Sequence, residues 1–103
     1  MPLTGKQRRF LRAEAHALEP TVMVGKDGLT PTVLEAVRAA LLAHELIKVR
    51  VLDNAPVTRK EVSERLPSMV KAELAGLVGR VVILYKRHPQ EARIVLPKPE
   101  ADD

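Results

Sequence analysis

Leu46-Ile47-Lys48-Val49-Arg50-Val51-Leu52 alternates: Ile47, Val49 and Val51 fall on one side of an extended chain, Lys48 and Arg50 on the other. This is the pattern of a half-buried strand with one face on a core and a basic face toward water. Helices on both faces would have produced a continuous apolar run. The stretch therefore predicts a sheet with its helices on one side and the other side open.

Upstream, Thr30-Pro31 is a strong helix start, a hydroxyl cap followed by proline at the first helical position. That helix runs to about His44, and its wide arc of Val33, Leu34, Val37, Ala40 and Leu41 predicts that it is mostly buried. Before it come a short strand, Thr21–Val24, and a tight turn, Gly25-Lys26-Asp27-Gly28. The chain opens with a helix capped by Thr4 and extending to about Leu18, where Glu19-Pro20 ends it. Leu11, Ala15 and Leu18 share one face of it, extended by Phe10, Ala13 and Ala17; Arg8, Arg9, Arg12 and His16 lie opposite, and Glu14 interrupts the apolar arc.

Downstream, Asp53–Pro56 is a turn and Thr58-Arg59-Lys60-Glu61 is a capping box. A third helix follows with Val62, Leu66 and Val70 inward, and Pro67 is expected to kink it or end its first part. Glu73–Val78 and Val81–Lys86 read as strands meeting near Gly79, the second apolar on both faces and so central. Arg93–Leu96 reads as a short edge strand, and Pro97, Pro99 and the acidic end as a disordered tail. The sum is one domain over residues 1–97 with a tail at 98–103. Its class is a two-layer α+β (α/β) domain of order α-β-α-β-α-β-β around a mixed four-stranded sheet.

Composition narrows the function. The 103 residues suffice for one core, and an apolar share of 46% is too high for a disordered chain. The absence of cysteine excludes disulfides, zinc fingers and thiol nucleophiles, and fits a cytoplasmic location. No signal-like apolar region opens the chain, and no run approaches the roughly 20 apolar residues of a membrane span. The net charge is +4, although Glu100, Asp102 and Asp103 crowd the acidic end against Lys98 alone, so the rest is more basic than the total indicates. That excess points to a polyanionic partner. Phe10 and Tyr85 are the only aromatics, so stacking platforms cannot be the main grip on nucleic acid.

Catalysis has little material. His16, His44 and His88 are far apart, Ser63 and Ser68 lack a nucleophile-elbow setting, and no helix carries two histidines at metal-ligand spacing. No catalytic residue, metal, cofactor or small-molecule substrate is expected. His16 and His44 near helix ends read as carbonyl-bonding residues rather than ligands.

The Gly25–Gly28 turn is the most informative feature. Paired glycines let backbone approach a phosphate, the helix beginning at Thr30 aims its amides and positive end there, and Lys26 adds charge. Asp27 is expected to turn away or bond the turn itself. An ordinary strand-to-helix turn would look the same. Lys6, Arg8, Arg9 and Arg12 on the first helix and Lys48 and Arg50 on the open sheet face complete the expected contact set, with Arg59, Lys60, Arg80, Lys86 and Arg87 as possible additions. Arg59 and Lys60 are better read as a solvated helix start beside Glu61 and Glu64.

Leu3-Thr4-Gly5-Lys6-Gln7, Ala15-His16, Pro20, Gly25-Lys26-Asp27-Gly28-Leu29-Thr30, His44-Glu45-Leu46-Ile47-Lys48-Val49, Gly79-Arg80 and Val82-Ile83-Leu84-Tyr85-Lys86, taken in order, resemble the YhbY family of stand-alone CRM (chloroplast RNA splicing and ribosome maturation) domains. The resemblance runs from about residue 3 to 97. It implies a likeness to the C-terminal domain of translation initiation factor three, association with precursors of the large ribosomal subunit in bacteria, and a role in group II intron splicing in plant relatives. It also implies RNA contacts at Gly25, Lys26, Asp27 and Gly28, flanked by Lys6 and Lys48. Glu14, where an apolar residue is expected, Pro67 and the proline-rich acidic tail depart from the pattern. The combined expectation is a monomeric, cytoplasmic, non-enzymatic protein that binds ribosomal RNA and assists large-subunit assembly. A protein-docking module without RNA contact and a small hydrolase are the alternatives.

Overall fold

The computed structural model describes residues 2–99. Its elements are α1 (Gly5–Ala15), β1 (Val22–Val24), α2 (Pro31–His44), β2 (Leu46–Val51), α3 (Arg59–Met69), β3 (Glu73–Val78) and β4 (Val81–Tyr85). The sheet order is β1-β2-β4-β3. β1 and β2 run parallel, joined through α2, while β4 is antiparallel to both neighbours. The β3–β4 hairpin folds back so that β4, apolar along its whole length, takes the central place beside β2, as its composition predicted.

Each helix start is fixed locally. Thr4 and Thr58 form reciprocal capping boxes with Gln7 and Glu61, all four bonds at 3.1 Å. Thr30 caps α2 by accepting from the Val33 amide at 3.1 Å.

The α+β class and the mixed four-stranded sheet match the sequence reading, but the layering does not. Ile47, Val49 and Val51 join Val37 and Leu41 of α2 and Val62 and Leu66 of α3 in one core. Leu46, Ile83, Tyr85 and Ala75 join Leu11 and Ala15 of α1 in a second core on the opposite face. α1 therefore covers part of the side that the alternation of β2 assigned to water. Leu46, first in the alternating run and on the same face as Lys48 and Arg50, is the buried residue that marks this.

Several boundaries also move. α1 stops at Ala15, three residues early, because a tight turn closes from the Leu18 amide to the Ala15 carbonyl at 2.9 Å; Leu18, Ala13 and Ala17 are left exposed. α2 is not mostly buried: only Val37 and Leu41 are, since the helix meets the sheet with one narrow stripe, and Leu42 is exposed. α3 runs on through Pro67 to Met69. The proline sits in the last turn, where it removes a single bond, and its own carbonyl accepts the Ala72 amide at 2.8 Å.

Residues 93–96 form no strand. They are held instead by Glu45. This residue is buried at the end of α2, with φ +64°, a backbone region costing about 1–3 kcal/mol for a residue with a side chain. Its carboxylate accepts the amides of His88 at 2.8 Å, Arg93 at 2.7 Å and Ile94 at 3.0 Å, and its carbonyl accepts that of Lys86 at 2.8 Å. Ile94 and Leu96 thereby reach the second core, and Gln7 Nε2 donates to the Pro97 carbonyl at 3.0 Å. Of the expected tail, Lys98 and Pro99 are irregular, and Glu100, Asp102 and Asp103 lie outside the described residues.

Burial raises the Glu45 carboxyl's pKa, but the three amides and His88 outweigh it, so the group sits below its ordinary value. A folded-state value below the unfolded one gives stability that is present above the unfolded value and lost as pH falls through the folded one. Glu45→Gln should therefore lower stability by about 2 kcal/mol at neutral pH. In thermal unfolding, the gap to the parent protein should narrow steadily as the pH drops through and below the usual carboxylate range.

Candidate nucleic-acid interface

The β1–α2 loop closes with the Gly28 amide donating to the Gly25 carbonyl at 3.0 Å, followed by the Thr30 amide donating to Gly28 at 3.0 Å. Gly28 has φ +73° and is buried; a Cβ there would lie 3.2 Å from Pro56 Cγ. Its glycine serves the turn. Gly25 is different: its φ needs no glycine, and an added Cβ would meet only Leu52 Cδ1, at 3.8 Å. Two amides expected to face a ligand, Gly28 and Thr30, are thus already engaged, and the Thr30 hydroxyl is spent on its cap. Among the described residues, the amides of Lys26, Asp27 and Leu29 make no hydrogen bond, and the exposed side chains of Lys26 and Asp27 make no ion pair. The open part of the loop is its Lys26-Asp27 tip, set against the positive end of α2.

Arg50 belongs to this end of the sheet. It pairs in register with Met23 of β1, and both side chains are exposed. Lys48, two residues back on the same face, donates to the carbonyls of Leu18 at 2.9 Å and His16 at 3.5 Å, closing the end of α1. Arg12 does not point away from the sheet as expected. A β-bulge between Leu74 and Gly76 turns both Ala75 and Gly76 toward α1. Arg12 lies flat over Gly76, where a Cβ would come within 2.5 Å of its Cδ, and it donates to the Ala75 carbonyl at 3.0 Å. Arg12, His16 and Lys48 meet Val78, Val81 and Ile83 around one shallow pocket.

The remaining expected bases lie elsewhere. Lys6, Arg8 and Arg9 occupy the first turns of α1, which starts beside β3: the Leu3 amide donates to Glu73 at 3.2 Å. β3 and β1 are opposite edges, three strand spacings or about 14 Å apart. Arg8 donates to the Leu3 carbonyl at 2.7 Å, and Lys6 and Arg9 are also engaged within the chain. The structure thus brings Lys26 and Arg50 to one end, Arg12 and Lys48 to mid-sheet, and leaves the other three at the far edge.

Two further arginines come close to the loop: Arg80, named above as a possible addition, and Arg59, read above as part of a solvated helix start. Arg80 forms an exposed ion pair with Asp53, and Arg59 donates to the Gly79 carbonyl at 3.4 Å. The Gly28–Pro56 contact places their loops beside Gly25–Gly28. Only tertiary pairing of β2 with β4 could reveal this. The histidines do not converge: His16 closes α1, His44 ends α2, and His88 Nδ1 accepts the amides of Gln90 and Glu91. Among the described residues no group of His, Asp and Glu side chains could hold a metal ion.

Residues 3–86 match the family model described as CRS1 / YhbY (CRM) domain. The chain is 41% identical to the "Probable RNA-binding protein YqeI" of Bacillus subtilis, covering 92% of this chain and 99% of that protein. It is 40% identical to a Haemophilus influenzae protein named "RNA-binding protein", over 93% and 96% of the two chains. The solution structure of the hypothetical protein SAV1595 from Staphylococcus aureus superposes with a TM-score of 0.78 at 36% identity, over 92% of this chain and 99% of that one.

The two glycines should separate on substitution. Gly28→Ala should cost about 1–2 kcal/mol of stability, from its left-handed backbone and the Pro56 contact. Gly25→Ala should leave urea unfolding within about 0.5 kcal/mol of the parent.

Proposed function

The chain belongs to the CRS1 / YhbY (CRM) domain family, and on that premise we propose that it is a non-enzymatic RNA-binding protein that grips structured ribosomal RNA in precursors of the large ribosomal subunit and assists their assembly. The observation that carries the RNA reading is the exposed Lys26-Asp27 tip, with unbonded amides at Lys26, Asp27 and Leu29 in front of the α2 N-terminus and Arg50 alongside. Donors in this arrangement suit phosphate oxygens. Gly25 gives a ribose-phosphate chain room to approach, while Gly28 and Thr30 hold the loop's shape. Arg12 and Lys48 extend the cationic surface over the sheet, and Lys6, Arg8 and Arg9 carry it to the far edge. With two aromatics in the chain, recognition runs through backbone and shape, with affinity from counterion release. The Asp27 carboxylate is exposed and bonded to nothing among the described residues, which leaves it free to turn from the phosphate path. The names of the bacterial relatives support RNA as the partner. The protein works as a cytoplasmic monomer until it meets the particle.

Filter binding to large-subunit RNA should weaken steeply between about 50 and 200 mM salt. Lys26→Glu/Arg50→Glu should reduce affinity at least tenfold and lower the salt slope by about two. A flat salt response would favour a module that docks on protein alone; unchanged affinity in the double variant would move the contact off this end of the sheet. On a sucrose gradient of lysate, the protein should travel with immature large subunits and be absent from mature ones.

A further inference from the structure

The end of the molecule away from the glycine loop carries a different chemistry. An apolar pocket of about 440 Å³ opens between the end of α1, the end of α2 and the start of β2, a size suited to a large side chain or a small ligand. Leu46 and Ile47 form its floor, Leu18 (40% exposed) and the partly exposed Ile94 its walls, and Glu14 and Glu19 its rim.

Asp27, Glu64 and Glu91 are exposed and without a side-chain partner among the described residues, as the rim carboxylates are, but Glu14 and Glu19 are the two that line this pocket, and the remaining acids are committed within the chain. Glu35 pairs with Arg38, Asp53 with Arg80, Glu61 closes a cap, Glu73 takes the Leu3 amide and Glu45 holds the C-terminal segment. Glu14 and Glu19 have no hydrogen bond or ion pair among the described residues, and both are exposed. Lys48, whose ammonium reaches Leu18, is held by the carbonyls of His16 and Leu18, and His44 is the one basic-type side chain in the lining. The negative end of α2 also terminates here, at His44. RNA is repelled by such a rim; a cationic polypeptide with an apolar anchor fits it.

We propose that this pocket docks a lysine- or arginine-rich segment of another protein, seating one large apolar side chain on Leu46 and Ile47 while Glu14 and Glu19 take its flanking cations. Glu14, which the sequence pattern marks as standing where an apolar residue is expected, then has a function. α2 spans about 21 Å from the glycine loop to this pocket, so RNA and the peptide can be held at once. The inference does not depend on the RNA reading, because the two surfaces share no residue.

The test uses fluorescein-labelled synthetic peptides and anisotropy on the full chain. Lys-Lys-Phe-Leu-Lys-Lys should bind at least fivefold more tightly than Lys-Lys-Gly-Gly-Lys-Lys, and Glu-Glu-Phe-Leu-Glu-Glu should not bind. Glu14→Lys/Glu19→Lys should weaken the first peptide at least tenfold while RNA affinity holds or rises, and Leu18→Ser should weaken it with the charges intact. Circular dichroism checks that both variants fold. Equal binding of the two basic peptides, or no loss in the charge-reversed variant, overturns the proposal. Displacement of the peptide by ribosomal RNA would assign the pocket to RNA, and a dimer abolished by Leu18→Ser would assign it to a second copy; either result also overturns it.

Discussion

Both faces of β2 are buried against helices, and the rest of the fold follows from that constraint. A strand packed on two sides must supply apolar residues to both, yet Leu46–Val51 also carries Lys48 and Arg50. The conflict is resolved along its length. Leu46 lies under the α1 side, Lys48 is drawn across to the carbonyls of the turn that follows α1, and Arg50 emerges beyond the helix where the face opens to water. One strand thus changes from core to exposed basic surface over six residues. The exposed end is the one from which the glycine loop springs, so the packing of α1 decides how much of the basic face remains for a ligand.

Much of this was legible in the chain. Thr4, Thr30-Pro31 and the Thr58/Glu61 pair each announce a helix start through bonds made within four residues, and all three helices begin where these signals stand. Val81–Tyr85 is apolar on every residue and lies in the middle of the sheet. What could not be read was what depends on partners distant in sequence. The side on which α1 packs is decided by Ala75 and Gly76, whose consecutive orientation toward the helix exists only through a bulge. The apolar arc of α2 looked wide enough to be buried, but nothing local states how much of a helix its sheet will cover.

The candidate site divides along the same line. The turn, its glycines and the cap at Thr30 belong to local chemistry and lie where their sequence places them. Which amides stay open is a matter of fine geometry: Gly28 and Thr30 close the turn on itself, and three neighbours are left over. Arg12 read as a free base because helical spacing set it opposite Leu11; a missing side chain at Gly76, sixty-odd positions later, lets it lie down on the sheet. Glu45 was invisible as an anchor because a lone carboxylate in a helix-to-strand step carries no mark of the amides it will gather.

The carboxylate of Glu45 also redraws the limits of the unit. The family signature stops at residue 86, whereas Ile94 and Leu96, brought in by that one side chain, help to fill the second core. The family model therefore outlines a shorter body than cohesion does, while the full-length relatives align over more than nine tenths of the chain. A fusion or tandem array spliced at the signature's edge would inherit a void beside Tyr85, and the linker in such a chimera should begin no earlier than Pro97.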